Sequence, residues 1–114
     1  MPPPPDDIEQ QMAELKRGYA SQLPEKAKRV ESICEAFFMQ PWDEERCSTA
    51  CRSAHSLAGS SGTYGFGELG KVAKLLENLI KGSLDRKTPL GDGELADARK
   101  HLGTLKELAA AAGA

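Results

Sequence analysis

One histidine in this chain stands in surroundings that a purely structural helix would not choose. His55 lies in the run Ala54-His55-Ser56-Leu57-Ala58-Gly59-Ser60-Ser61-Gly62. Gly costs roughly 0.8–1 kcal/mol relative to Ala in a helix interior, and Ser is also a weak former. Gly59 follows His55 by four residues, so on a helix it sits over the imidazole on the same face and contributes no side chain. Imidazoles in general titrate near roughly 6.5, so close to pH 7 such a ring offers a lone pair without help from a base. With open space beside it, the ring can attack a bulky tetrahedral phosphoryl group that arrives in line with one nitrogen. The competing explanation is a surface histidine beside a packing glycine, where a neighbouring helix crosses closely.

The elements that must position this histidine are helices. No stretch alternates with β-branched and aromatic enrichment, whereas helical periodicity recurs five times. Ile8, Met12, Leu15 and Tyr19 mark an amphipathic helix from about Asp6 to Gln22. Pro24 suits the first turn of the next helix, whose apolar face is Ala27, Val30, Ile33, Cys34, Phe37 and Phe38, and the two together form either separate helices or one kinked rod. After Gln40-Pro41-Trp42, Asp43 is a credible N-cap, with Glu44 and Glu45 in the first turn of the histidine helix, which runs to about Tyr64. Its apolar face is Ala50, Ala54, Leu57 and Ser61, which puts His55 about 100° away, at the edge of that face or in solvent.

Gly65 and Gly67 bracket a tight connection to a helix defined by Leu69, Val72, Ala73, Leu76, Leu79 and Ile80, predicted to stop at Gly82. Ser83 to Gly91 reads as the one extended loop. Asp92 can cap a last helix carrying Leu95, Ala98, Leu102, Leu105 and Ala109, with an Ala-rich end expected to fray. Short connections imply antiparallel neighbours. The expected fold is all-α, an antiparallel up-and-down four-helix bundle with an additional N-terminal helix. Residues 1–5 read as a proline-rich linker stub and residues 6–112 as a single domain.

Composition narrows the function classes. The chain has 114 residues, enough for one core. It holds neither a G-x-x-x-x-G-K-[ST] loop nor a strand followed by G-x-G-x-x-G, so autonomous nucleotide chemistry is not expected. The formal net charge is -2 with basic residues spread along the chain, which disfavours a nucleic-acid footprint. No apolar run approaches the roughly 20 residues of a membrane span, and the Met-Pro-Pro-Pro-Pro-Asp-Asp start lacks the basic and apolar regions of a secretion signal. A cytoplasmic protein with Cys34, Cys47 and Cys51 as free thiols is expected.

Other signals rank lower. Cys47, Cys51 and His55 fall four residues apart in turn. Eight residues span about 12 Å of helix, whereas zinc ligands lie about 2.0–2.3 Å from the metal, so the three cannot share one ion and no metal site is expected. His101, without a Gly-Ser setting, reads as a solvated residue, and Trp42 as a plug at the bundle end. Lys71, Lys74, Lys81 and Lys87 are more simply a solvated face than a docking surface.

The run from Ala54 to Ser61, followed by Gly65 and Leu69, resembles the signature of histidine-containing phosphotransfer (HPt) domains of bacterial phosphorelays, H-x-L-[KR]-G-[SA]-[SA] with a later G and L. The helical context, with Leu23-Pro24 opening the preceding helix, fits as well, and the resemblance covers Tyr19 to Ile80 best. It implies a phosphoryl carrier rather than an enzyme. His55 would accept a phosphoryl group from a receiver-domain aspartate, of a response regulator or hybrid histidine kinase, and pass it to another receiver. Gly59 would keep the approach clear, with Ser56 and Ser60 offering hydroxyls. The Mg²⁺ belongs to the receiver in that family, so no cofactor is expected here, and neither is a membrane or nucleic-acid partner. A monomer is expected, native to a larger regulator.

One departure from the pattern is Ala58, where the family often has Lys or Arg. A positive charge must then come from elsewhere, with Arg52, Lys71 and Lys74 as the candidates. The same departure supports an alternative in which the chain is a helical interaction module that has lost transfer chemistry.

Overall fold

The structure is a computed structural model that describes residues 5–114, and the linker expected over the first residues lies, for residues 1–4, outside the described residues. Four helices follow one another: α1 (Pro5–Phe38), α2 (Glu44–Thr63), α3 (Gly67–Arg86) and α4 (Asp92–Gly113). Helices adjacent in sequence are adjacent in space, and α4 closes the ring onto α1, leaving α1 diagonal to α3 and α2 diagonal to α4. This is the expected all-helical bundle.

The additional N-terminal helix is not a separate element. The stretches expected on either side of Pro24 are one 34-residue helix. An interior proline removes one backbone hydrogen bond and crowds the preceding turn, at a cost of about 3 kcal/mol. Burial on both sides offsets it: Tyr19 before the proline, and Leu23, Ala27, Val30 and Cys34 around and after it, all lie in the core. The far end of α4 rests against the ring, so that a Cβ at Gly113 would meet Pro24 Cγ at 2.8 Å.

The helix ends follow from local chemistry. Asp43 caps α2 as expected, its Oδ2 accepting the Arg46 N–H at 3.0 Å, with Glu44 and Glu45 in the first turn. Gly82 does not end α3. The helix continues because Ser83 is buried on the core side, where its Oγ accepts the Trp42 indole N–H at 3.1 Å and donates to the Thr88 carbonyl. Lys87, in the left-handed region with φ 54, makes the turn instead. The loop is therefore shorter than expected, from Lys87 to Gly91. Gly91 rather than Asp92 is the N-cap of α4, and the Glu94 carboxylate reaches back to accept the Gly91 N–H at 3.0 Å. The Ala-rich end is helical to Gly113.

The core is contributed by all four helices, with Leu23, Leu76, Ile80 and Leu105 fully buried. Burying each such side chain stabilises the fold by about 1.5–3 kcal/mol. Ion pairs between α1 and α4, Glu35–Arg99 and Glu31–Lys106, decorate the surface and contribute little by comparison. The cysteines are free, as expected. Trp42 is partly buried against the core at the end of the bundle, and His101 is half-buried on α4 rather than fully solvated.

Candidate functional site

The middle of α2 turns Ala50, Ala54, Leu57 and Ser61 into the core. That rotation leaves His55 at the edge facing α3, with a side chain 68% exposed. Its Nδ1 lies 2.8 Å from Oε2 of Glu77. Glu77 is itself buried on the core side of α3 and only 6% exposed. Lys74, one turn earlier on α3, donates to the other oxygen, Oε1, at 3.1 Å. One carboxylate thus holds a ring nitrogen with one oxygen and an ammonium with the other.

The electrostatics of this triad follow from that arrangement. Burial pushes the Glu77 carboxyl up, but the hydrogen bonds from Lys74 and His55 outweigh it and hold the group below its usual value of 4.5. Ionised Glu77 can only accept, so the bond requires the proton on Nδ1. Nε2 then carries the lone pair, on the side of the ring away from Glu77.

Space is left where a reactant would need it. A Cβ built at Gly59 meets nothing within 4 Å. Gly59 is therefore not a packing glycine. The close approach between α2 and α3 occurs at Gly70, where a Cβ would come to 3.1 Å from the Ala58 carbonyl oxygen. This approach holds α3 near enough for Glu77, two turns further on, to reach His55. Ala58 is partly buried against the core beside that crossing.

The remaining residues singled out in the sequence divide. Lys74 joins the His55–Glu77 pair. Arg52 and Ser56 line a groove between α1 and α2 together with Lys26, Arg29 and Ser60. The Ser60 hydroxyl is turned toward α1, 2.7 Å from the Tyr19 hydroxyl, and also lies 3.0 Å from the Ser56 carbonyl. Lys71 is exposed on α3 and takes no part in the ion pairs of Glu77. Cys47 points inward, its thiol 3.6 Å from the Ile80 carbonyl, while His55 faces Glu77, so the two do not converge.

Glu77 escaped the sequence reading. A signal was present: on α3 it falls four residues after Ala73 and three before Ile80, among buried positions. A carboxylate on an apolar stripe requires a partner.

A family model for the Hpt domain matches residues 6–114. The chain belongs to the Hpt domain family. No curated protein and no solved structure matches it. The family places this Hpt domain in phosphorelay signalling, where such domains are phosphocarriers that interact with receiver domains of two-component systems. No helix among the described residues is long and apolar enough to cross a membrane.

Proposed function

We propose that this Hpt domain is a phosphorelay intermediate whose phosphoryl acceptor is His55. The reading is carried by the 2.8 Å contact between His55 Nδ1 and Glu77 in a histidine whose ring remains exposed. Nε2 attacks the phosphorus of a receiver aspartyl phosphate in line, forming the N–P bond as the P–O bond to the aspartate carboxylate breaks. The Nδ1 proton stays in its hydrogen bond, and the negative charge of Glu77 stabilises the positive charge that develops on the ring. In the reverse direction the phosphoryl group leaves Nε2 for the aspartate of a second receiver. Mg²⁺ would be supplied by the receiver.

Gly59 provides the clearance for this approach. Arg52, Lys26 and Arg29 of the α1–α2 groove, with the Ser56 hydroxyl beside them, offer a basic flank to an acidic receiver pocket, so that Ala58 need not supply the charge. Lys74 acts through Glu77, keeping it ionised. Ser60 serves the fold by its bond to Tyr19 rather than the phosphoryl group.

The test is incubation of the chain with a labelled, phosphorylated receiver domain and Mg²⁺, beside His55→Gln. Label on the wild-type chain that is acid-labile, alkali-stable and lost in His55→Gln is expected. Retention of label in a folded His55→Gln would refute the assignment.

A further inference from the structure

Among the described residues Ile8, Met12 and Leu15 of the first half of α1 stay exposed, while Lys16, at the end of this stretch, lies with its Nζ 5.1 Å from the centroid of the Phe66 ring. Every position from Asp7 to Gly18 is exposed, whereas Tyr19 is buried by Tyr64 and Phe66 at the turn between α2 and α3. At 34 residues α1 is about 51 Å long, against about 30 Å for the 20-residue helices α2 and α3, so its start stands clear of the bundle. This projection is not polar. Ile8, Met12 and Leu15 are 54%, 66% and 61% exposed, and with Tyr19 they fall at alternating spacings of four and three residues, the a/d seam of a coiled coil.

We propose that this projecting segment pairs with its counterpart in a second copy of the chain, antiparallel, to form a dimer. In an antiparallel seam a and d positions meet. Met12 of one copy then lies opposite Leu15 of the other, and Ile8 falls opposite the position of Tyr19, whose own ring stays buried against Tyr64 and Phe66. The flanking charges favour this orientation. Glu9 and Lys16 occupy the e positions, and in the antiparallel register each Glu9 meets a Lys16, twice per dimer. A parallel pairing would not bring these two residues together.

The chain also offers a seat for the incoming end. Leu15, Gly18, Tyr19 and Tyr64 border an open groove beside the seam. At Gly18 even a Cβ would meet nothing within 4 Å. Ile8 of the second copy arrives there. The site on α2 stays uncovered, because His55 lies eight residues, about 12 Å, before the end of the helix at Thr63. The dimer departs from the monomer expected from sequence. Two layers of exposed apolar residues, Met12 against Leu15 in both directions, with Ile8 at each end, make a small interface, so a weak dimer with a Kd on the order of 100 µM is expected.

Sedimentation equilibrium of the full chain over a concentration series tests the proposal. Wild type should dimerise, and Leu15→Glu should weaken the dimer at least about tenfold with far-UV circular dichroism unchanged, since the side chain is exposed. Glu9→Lys and Lys16→Glu should each weaken it roughly tenfold at low salt, and an equimolar mixture of the two should recover wild-type affinity, because the mixed dimer restores both ion pairs. Monomers at ten times the expected Kd, or a dimer indifferent to Leu15→Glu, would overturn the proposal. So would failure of the mixture to recover affinity.

Discussion

Glu77, buried on α3, holds Nδ1 of the exposed His55 at 2.8 Å and so leaves Nε2 as the nitrogen with the free lone pair. On the proposal that His55 accepts the phosphoryl group, this contact across two helices sets which nitrogen reacts. Imidazole ¹⁵N shifts of the neutral ring should show His55 protonated at Nδ1. In Glu77→Ala the ring should shift toward the Nε2–H tautomer that free histidine favours. Phosphoryl uptake should fall roughly ten- to hundredfold, as expected for loss of a hydrogen bond to a charged group of about 1.5–3 kcal/mol, with the lower end favoured because one partner is solvent-exposed. Wild-type tautomer and rate in that variant would remove Glu77 from the mechanism.

Gly59 and Gly70 should respond oppositely to the same substitution. Gly59→Ala fills open space on an exposed stretch of helix and should stabilise the domain by about 0.5–1 kcal/mol. Gly70→Ala presses a methyl group against the Ala58 carbonyl, 3.1 Å away, and should destabilise it by about 1–3 kcal/mol. Gly59→Lys should keep the helix yet slow transfer to His55 sharply. Urea titrations of the first two variants and a transfer assay of the third check these expectations.

Acid should weaken the fold through Glu77. Its carboxyl titrates lower in the folded protein than the usual 4.5 of an unconstrained glutamate, so near and below pH 4.5 the unfolded chain binds the proton more readily. The stability contributed by the ionised form is complete above pH 4.5 and is lost as pH falls through the folded value. Thermal unfolding of wild type and Glu77→Gln from pH 7 to pH 3 should therefore converge as pH falls, the gap between them closing on the acid side.

The thiols should be poor nucleophiles. Burial, with smaller contributions from Glu35 and Cys51, pushes Cys34 up to about 12, and burial also raises Cys47 and Cys51. An aromatic disulfide reagent at pH 8 should leave Cys34 and Cys47 unmodified in the native protein and modify the half-buried Cys51 slowly. All three should react in denaturant. Rapid native labelling of Cys34 would contradict its burial.

Local chemistry made much of this protein legible in its sequence. Helical periodicity, the Asp43 cap and the tight Gly65 turn are decided within a few residues, and so is the offset that places His55 beside, not on, the apolar face of α2. The Gly59 clearance was readable for the same reason, because i and i+4 neighbours are set by helix geometry alone. The ends that misled were those where distant burial outweighs local preference. Pro24 does not break α1, because Tyr19 and Leu23 are anchored against other helices. Gly82 does not end α3, because Ser83 is held by Trp42, 41 residues away.

Sequence by itself determined the helices, the exposed histidine and the open space over it, since each depends on side chains within one or two turns. Tertiary structure decided which ring nitrogen is presented, because that depends on Glu77, 22 residues away on another helix. It also decided that Lys74, among the candidate cations, shares a carboxylate with His55, whereas Arg52 lies in the groove beside α1. That sharing rests on how closely α2 and α3 approach at Gly70, a distance that no local pattern encodes.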